Sequence, residues 1–357
     1  MLYISHINWD WIKQRPQFVA EELADYYDLS VLYPHNYNKK GFQKKNHTNL
    51  KTAKYYYIPF IGRVKCLAKI NLILKKMMIS RKIRQFAPEI LFLTLPEQID
   101  AIPSNYDGMI IYDCMDDHSA FYSNSEKQAE IIKKERQMVA RAHCIFVSSN
   151  NLRKVIIDRY GLDKADKIHL CRNGYSGEIK KSRFDPENHS DKYTICYFGT
   201  ISNWFNFDYI ERSLKEFDDI KYLLIGPLDK VVIPSAERIE YIGTVEHSKL
   251  YEAVKEADCF VMPFVLNDLI KSVDPVKFYE YINFNKNILS IKYDEIERFE
   301  EFVYFYTDYQ SYINQIREMM NNSKVKYDER KRVEFLKQSS WTSRIEGMKK
   351  IIDSYQF

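Results

Sequence analysis

The chain has 357 residues, 45% of them hydrophobic and 29% charged, which is enough for two ordinary domain cores and argues against a disordered chain. No apolar run approaches the roughly 20 residues needed to span a bilayer, and Met1 leads directly into a strand-like Leu2-Tyr3-Ile4, so a cytosolic chain without a signal peptide is expected. The six cysteines show no C-x-x-C spacing and sit mostly in apolar runs, so they read as buried thiols, not a metal or disulfide framework.

The net charge of +4 is distributed unevenly. Between Leu29 and Pro88 there is no Asp or Glu, while the basic residues run from Lys39 to Arg84, so the remainder is net acidic. Such a block favours an anionic partner, either nucleic acid or the inner leaflet of a membrane. Within it Leu67, Ile70, Leu74, Met77 and Met78 recur at helical spacing with lysines between them, as in a helix lying on a membrane. A core helix with a solvated basic face is the alternative. Nucleic acid is disfavoured, because Tyr55-Tyr56-Tyr57 is the only aromatic interleaving and no recognition motif accompanies it.

In chain order, Leu2 to Ile7 reads as a buried strand. The loop Asn8 to Arg15 follows, then a helix opening at Pro16 with Val19, Leu23 and Tyr26 on one face. Strands are expected at Leu29–Tyr33, Tyr55–Phe60, Ile90–Thr94, Met109–Tyr112, Cys144–Val147 and Ile168–Cys171. Helices are expected at Cys66–Phe86, from a capping box Ser125 to Gln128, and at Asn150–Tyr160, closed by Gly161. Residues 176–192 turn polar and read as a linker. A second alternation follows: strands Thr194–Phe198, Tyr222–Ile225, Ile239–Gly243, Cys259–Phe264 and Ile288–Ile291, with helices Phe207–Phe217 and Ser248–Ala257. A terminal helix, Trp341–Tyr355, carries Ile345, Met348 and Ile352 at helical spacing. Alternation throughout argues for two doubly wound parallel sheets, whose carboxyl ends would share a ligand cleft.

The stretch Ser272 to Tyr281 is the most suggestive for chemistry. Asp274 reads as an N-cap and Pro275 as the first helical residue, so the amides of that turn and Lys277 would form an anion site. Glu280 lies where a carboxylate could accept from the paired hydroxyls of a ribose. Gly199-Thr200 lets the backbone approach a ligand. Neither G-x-G-x-x-G nor G-x-x-x-x-G-K-[ST] is present, which disfavours dehydrogenases and P-loop enzymes. In the first half Asp113, Asp116, Asp117 and His118 crowd a strand's carboxyl end, as a general base or a carboxylate-bound divalent cation would require, although capping aspartates would look the same. Lys13 and Arg15 could hold a phosphate or carboxylate, and Trp9, Trp11 and Trp204 could stack on sugars or bases.

These residues together resemble the GT-B glycosyltransferases of the group 1 (family 4) type, especially those of bacterial teichuronic acid, capsule and exopolysaccharide assembly. The resemblance spans nearly the whole chain. It is carried by Trp11-Ile12-Lys13-Gln14-Arg15-Pro16-Gln17, Tyr112 to Asp117, Asn173-Gly174, Tyr197-Phe198-Gly199-Thr200-Ile201, Leu224-Ile225-Gly226-Pro227, Tyr241-Ile242-Gly243 and Asp274 to Tyr281. It implies a GT-B α/β fold, with two Rossmann-like domains facing across a cleft. An acceptor-side domain would occupy 1–175, a nucleotide-sugar domain 193–338, and a helix in 339–357 would cross back to the first. It also implies sugar transfer from a nucleotide-diphosphate sugar to a lipid-linked or growing surface polysaccharide, usually with retained configuration, no cofactor and no required metal. The enzyme would be cytoplasmic and peripheral at the inner face of the cell membrane through the basic 39–84 block.

The donor site implied by the resemblance comprises Gly199, Thr200, Asn203, Asp274, Val276, Lys277 and Glu280, with Glu280 matching the last Glu of the family's E-x7-E motif. Acceptor or phosphate contacts fall to Trp11, Lys13 and Arg15, and catalytic work on the acceptor hydroxyl to Asp116, Asp117 or His118. Three positions depart from the family: Ser272 stands for the first motif Glu, the usual Arg and Lys pair after the second domain's first strand is not evident, and Asn285-Lys286-Asn287 stands for Gly-Lys-Pro. A nucleotide-sugar epimerase on the same fold and a non-catalytic, recruiting paralogue are the rival readings.

Overall fold

A computed structural model describes residues 1–10, 13–35, 50–56, 65–161, 166–180, 192–322 and 324–355, without the side chains of 65–69. The chain divides into two compact units, Met1–Asn173 with Trp341–Phe357, and Gly174–Ser340.

The first unit holds β1 (Leu2–Ile4), α1 (Arg15–Leu23), β2 (Ser30–Pro34), β3 (Lys51–Tyr55), α2 (Lys65–Phe86), β4 (Ile90–Leu93), β5 (Met109–Cys114), α3 (Ser125–Arg141), β6 (Cys144–Val147), α4 (Asn150–Tyr160) and β7 (Ile168–Leu170). The strands form one seven-stranded sheet in the order β3-β2-β1-β4-β5-β6-β7, parallel throughout. The order reverses between β1 and β4, and the carboxyl ends there are where an open α/β sheet leaves a crevice. Near-continuous apolar strands such as Ile90-Leu91-Phe92-Leu93 are fully buried because helices cover both faces.

The second unit repeats the plan with β8 (Tyr193–Phe198), α5 (Phe207–Glu216), β9 (Ile220–Ile225), β10 (Ile239–Tyr241), α6 (His247–Ala253), β11 (Cys259–Met262), α7 (Asp268–Lys271), α8 (Val276–Asn283), β12 (Asn287–Ile291), β13 (Val303–Tyr306), α9 (Tyr309–Asn321) and α10 (Glu329–Gln338). Its six parallel strands run β10-β9-β8-β11-β12-β13, with the reversal between β8 and β11. The last helix, α11 (Trp341–Ser354), belongs to the first unit. Trp341 stacks on Phe18 at 5.3 Å between ring centres, and the Tyr27 hydroxyl donates to Asp353 at 2.7 Å.

The structure corrects several sequence expectations. The third strand is Lys51–Tyr55, so it ends where Tyr55–Phe60 was to begin, and residues 57–60 lie outside the described set. The edge strand Lys-Thr-Ala-Lys-Tyr carries exposed polar side chains and no apolar signature, which is common at a sheet edge. The cap of α3 is Asn124, whose side chain accepts from the Lys127 amide, in place of the expected box from Ser125. Asn285 takes φ +56°, the left-handed turn that Asn tolerates best after Gly.

Candidate active site

In the second unit, three adjacent strands end in glycines with positive φ: Gly199 (+139°) after β8, Gly226 (+135°) after β9 and Gly243 (+75°) near the end of β10. The Gly199 amide donates to the Ile225 carbonyl and the Gly226 amide to the Gly243 carbonyl, both at 2.8 Å. A Cβ on Gly226 would lie 2.0 Å from the Gly199 carbonyl oxygen, so these two backbones touch and only glycine fits. A Cβ on Gly199 would lie 1.9 Å from Cε of Lys277, so the lysine, from the first turn of α8, lies across the glycine. Its ammonium is 5.9 Å from the Tyr197 ring centre, within cation–π range. Burial lowers the Lys277 pKa, and Glu280 works against that shift.

One turn further along α8, Glu280 Oε1 is 2.7 Å from Nε2 of the exposed His247, and this hydrogen bond raises the His247 pKa. Asp274 is not the expected cap. It is buried and paired with Arg298, and the N-cap is Pro275 (φ −77°, ψ 104°), which moves the helix start to Val276. The Asp274 carboxylate thus anchors the loop to the segment after β12, and Lys277 is the cation in the first turn of α8. Val276 and Thr200 are exposed, the Thr200 carbonyl accepting from the Tyr197 hydroxyl at 2.8 Å, and Asn203 is exposed in the following loop. Ser272 is buried, with its hydroxyl turned back to the Asp268 carbonyl at 3.1 Å.

In the first unit the carboxyl ends of β1, β4 and β5 gather titratable groups. Arg15, expected to meet a phosphate, is buried and committed elsewhere. Its Nη2 donates to Asp113 Oδ1 at 2.7 Å, Nε to Oδ2 at 3.0 Å and Nη1 to Asn173 Oδ1 at 3.2 Å. Lys13 pairs with Glu21 and sits 4.3 Å from the Phe18 ring centre. Trp11 lies outside the described residues. Trp9 packs beside Tyr33 and Trp204 against the second core, each half-buried.

Asp117 caps the turn His118–Phe121 and is held by Arg159. Ser119 Oγ reaches its Oδ1 at 2.7 Å and Arg159 Nη2 its Oδ2 at 2.8 Å, and although burial opposes them these partners keep its pKa low. Arg159 also donates to the buried Glu135, which accepts from Tyr112 and Tyr160 at 2.9 and 2.7 Å. This network fixes the β5 end and leaves Asp116 as the partly buried carboxyl beside it. Burial raises its pKa to about 7, Arg15 opposing and Asp113 and Asp117 reinforcing, and no hydrogen-bond partner approaches its side chain among the described residues. His118 is buried, its pKa lowered to about 4 by burial, and its Nε2 is without a partner among the described residues. His6, just past β1, lies 6.4 Å from it, ring centre to ring centre. His6, Arg159, His247 and Arg298 were not singled out from the sequence. His6 was hidden inside the run Leu2 to Ile7, which reads as strand, whereas β1 ends at Ile4. No group of three or more His, Cys, Asp or Glu able to hold a metal occurs among the described residues.

No family model matches the chain, and neither does any curated protein. Solved structures do match. Sucrose-phosphate synthase from Thermosynechococcus elongatus superposes with a TM-score of 0.75 at 12% identity, covering 99% of this chain and 98% of that one. The Anabaena protein HepE in complex with UDP-glucose gives 0.73 at 11% identity, covering 99% of each chain. The lipopolysaccharide outer core galactosyltransferase WaaB gives 0.68 at 11%, also covering 99% of each. The fold is GT-B. At these identities the likeness extends to the fold and not to the substrate.

Proposed function

We propose that the chain is a glycosyltransferase that moves a sugar from a nucleotide-diphosphate sugar to a hydroxyl of a lipid-linked or growing surface polysaccharide. The observation that carries this reading is the second unit's switch point, where the Lys277 ammonium lies on the bare backbone of Gly199 with Glu280 one turn away. A half-buried cation on a glycine floor at a helix start matches a diphosphate, and a nearby carboxylate matches a ribose diol. When the glycosidic bond breaks, charge develops on the diphosphate, and Lys277 with the first-turn amides of α8 would stabilise it. In the first unit Asp116, with a pKa close to the working pH, is the group to orient or take the acceptor hydroxyl's proton. Asp117 then acts by holding the loop. Donor contacts by Thr200, Asn203 and Val276, retention of configuration and independence of metal belong to the same proposal.

Membrane contact would be made by α2. Its inward residues Asn71, Ile79 and Ile83 are buried, while Ile70, Ile73, Leu74 and Met77 form an exposed stripe that continues into Arg81 and Arg84. An apolar stripe bounded by cations suits an anionic leaflet. No helix among the described residues is long and apolar enough to cross a membrane.

The deciding experiment is a thermal-shift screen against UDP, GDP, dTDP, CMP and their sugars, on the wild type and Glu280→Ala. One nucleotide is expected to raise Tm in the wild type and not in the variant. No response to any of them would remove the donor reading. A transferase should then pass the sugar to an added acceptor, where an epimerase would return an altered nucleotide sugar. With the donor known, Asp116→Asn should lower transfer on the order of 100-fold or more while donor binding persists. Sedimentation with anionic liposomes tests α2, since Ile73→Glu with Met77→Glu should abolish it.

A further inference from the structure

We propose that His6 is a hydroxyl-binding residue of the acceptor site, held by Thr94 as the Nδ1–H tautomer so that its Nε2 lone pair faces a hydroxyl of a neutral, polyhydroxylated acceptor. This rests on the glycosyltransferase reading but on residues that reading does not use.

The tautomer follows from a chain of hydrogen bonds. Gln98 Oε1 accepts from the amides of Thr94 and Leu95, at 2.8 and 3.1 Å, which fixes its amide so that Nε2 donates to the Ile4 carbonyl at 3.0 Å. Thr94 Oγ1 lies 3.0 Å from that same carbonyl and 2.8 Å from His6 Nδ1. A threonine hydroxyl has one proton. If that proton pointed at His6, two oxygen acceptors would face each other at 3.0 Å with no proton between them. It therefore goes to Ile4, and the His6 Nδ1 must be the donor. Burial lowers the His6 pKa to about 3, with His118 and Lys75 adding to the effect, so the ring is neutral and Nε2 is an acceptor. No partner approaches that Nε2 among the described residues, and it is not among the sealed, unsatisfied atoms.

Position adds to chemistry. Ile4 ends β1 and Leu93 ends β4, so the His6–Thr94 pair spans the reversal in strand order, the place where a parallel sheet binds its ligand. A base oriented by a third group is the arrangement used to activate hydroxyls, but this imidazole is too weak a base to deprotonate one near neutral pH. Its role is to accept a hydrogen bond, and proton transfer stays with Asp116. A neutral ring has no charge with which to draw an anion. The neighbouring His118, with its buried Nε2 unsatisfied, is a second polar group at the same strand ends.

The test is imidazole 15N–1H correlation NMR on the full chain labelled at histidine. His6 should show a protonated Nδ1 and a bare Nε2 at pH 7, and Thr94→Val should abolish that preference. Methyl α-D-glucopyranoside, methyl α-D-galactopyranoside and glycerol serve as neutral probes and inorganic phosphate as the anionic one. At least one neutral probe should move the Nε2 resonance and phosphate should not. An Nε2–H tautomer, a response to phosphate alone, or no response to any probe would overturn the proposal. These readouts need no donor, so they stand apart from the thermal-shift screen. Once a transfer assay exists, His6→Phe should raise acceptor KM about tenfold, with donor affinity unchanged and partial rescue in His6→Gln, which restores an acceptor at the Nε2 position. An equal loss of donor binding and transfer would mark His6 as merely structural.

Discussion

The carboxyl edges of the two sheets are topological counterparts with opposite chemistry. At the first, around β1, β4 and β5, stand Arg15, Asp113, Asp116, Asp117, His6 and His118, most of them buried. At the second, around β8, β9 and β10, three glycines with positive φ bring strand ends into close contact, and the charged side chains nearby include Lys277, Glu280 and the Asp274–Arg298 pair. One edge gathers titratable side chains and the other gathers glycine backbone; in the proposed transfer reaction the first would handle the acceptor's proton and the second would meet the donor.

This contrast can be broken at its strongest point first. Arg15→Met leaves the fully buried Asp113 carboxyl without its main partner, and should cost about 3–5 kcal/mol in urea unfolding. Arg15→Met with Asp113→Leu should recover much of that loss, because it removes the stranded polar group. If the single variant is as stable as wild type, the first edge is not held by its charges.

Gly226→Ala probes the other edge. With φ at +135° and a Cβ only 2.0 Å from the Gly199 carbonyl oxygen, the variant must shift both strand ends, and a loss of about 3 kcal/mol is expected. A neutral outcome would mean the glycine floor is not needed for the fold.

Lys277→Met separates binding from stability. Because burial already disfavours the ammonium, stability should change little or rise, while donor affinity should fall about 10- to 100-fold. The pH dependence has a definite sign. The lysine must be protonated to meet a diphosphate, so wild-type donor affinity should fall as pH rises through the lowered lysine pKa. Titration calorimetry should find that dependence missing in the variant.

The α/β alternation was legible because buried parallel strands are continuous apolar runs punctuated by Gly, Asn and Pro. The segment after Ile291 was not, since Val303-Tyr304-Phe305-Tyr306 and the tyrosine-bearing start of α9 are aromatic and read equally well as loop or core. Site residue types were visible in the sequence but their pairings were not. Asp274 before Pro275 has the local form of a cap, yet Arg298, 24 residues on, takes its carboxylate. Likewise Arg15 beside Lys13 looked like a surface anion site until Asp113, 98 residues away, was placed against it. Both cases are long-range charge pairing overriding a local signature, and a single sequence contains no term for that.

The smallest effect is the most diagnostic. A carboxyl whose folded pKa is raised, here Asp116 at about 7 against 3.8, binds a proton more tightly folded than unfolded. The unfolded chain then holds fewer protons between these values, so stability from this group is greatest at low pH and declines as pH rises from about 4 to about 7. Asp116→Asn removes that penalty and should raise stability by about 1–2 kcal/mol at pH 8, with little change at pH 4. The gain should appear as a shifted urea midpoint with an unchanged slope. A structural aspartate would show the reverse, as Asp117→Asn should, because Arg159 and Ser119 hold that carboxylate in its charged form and its stabilisation is lost as pH falls. Opposite pH slopes in two adjacent aspartates would separate the residue kept for chemistry from the one that holds the loop.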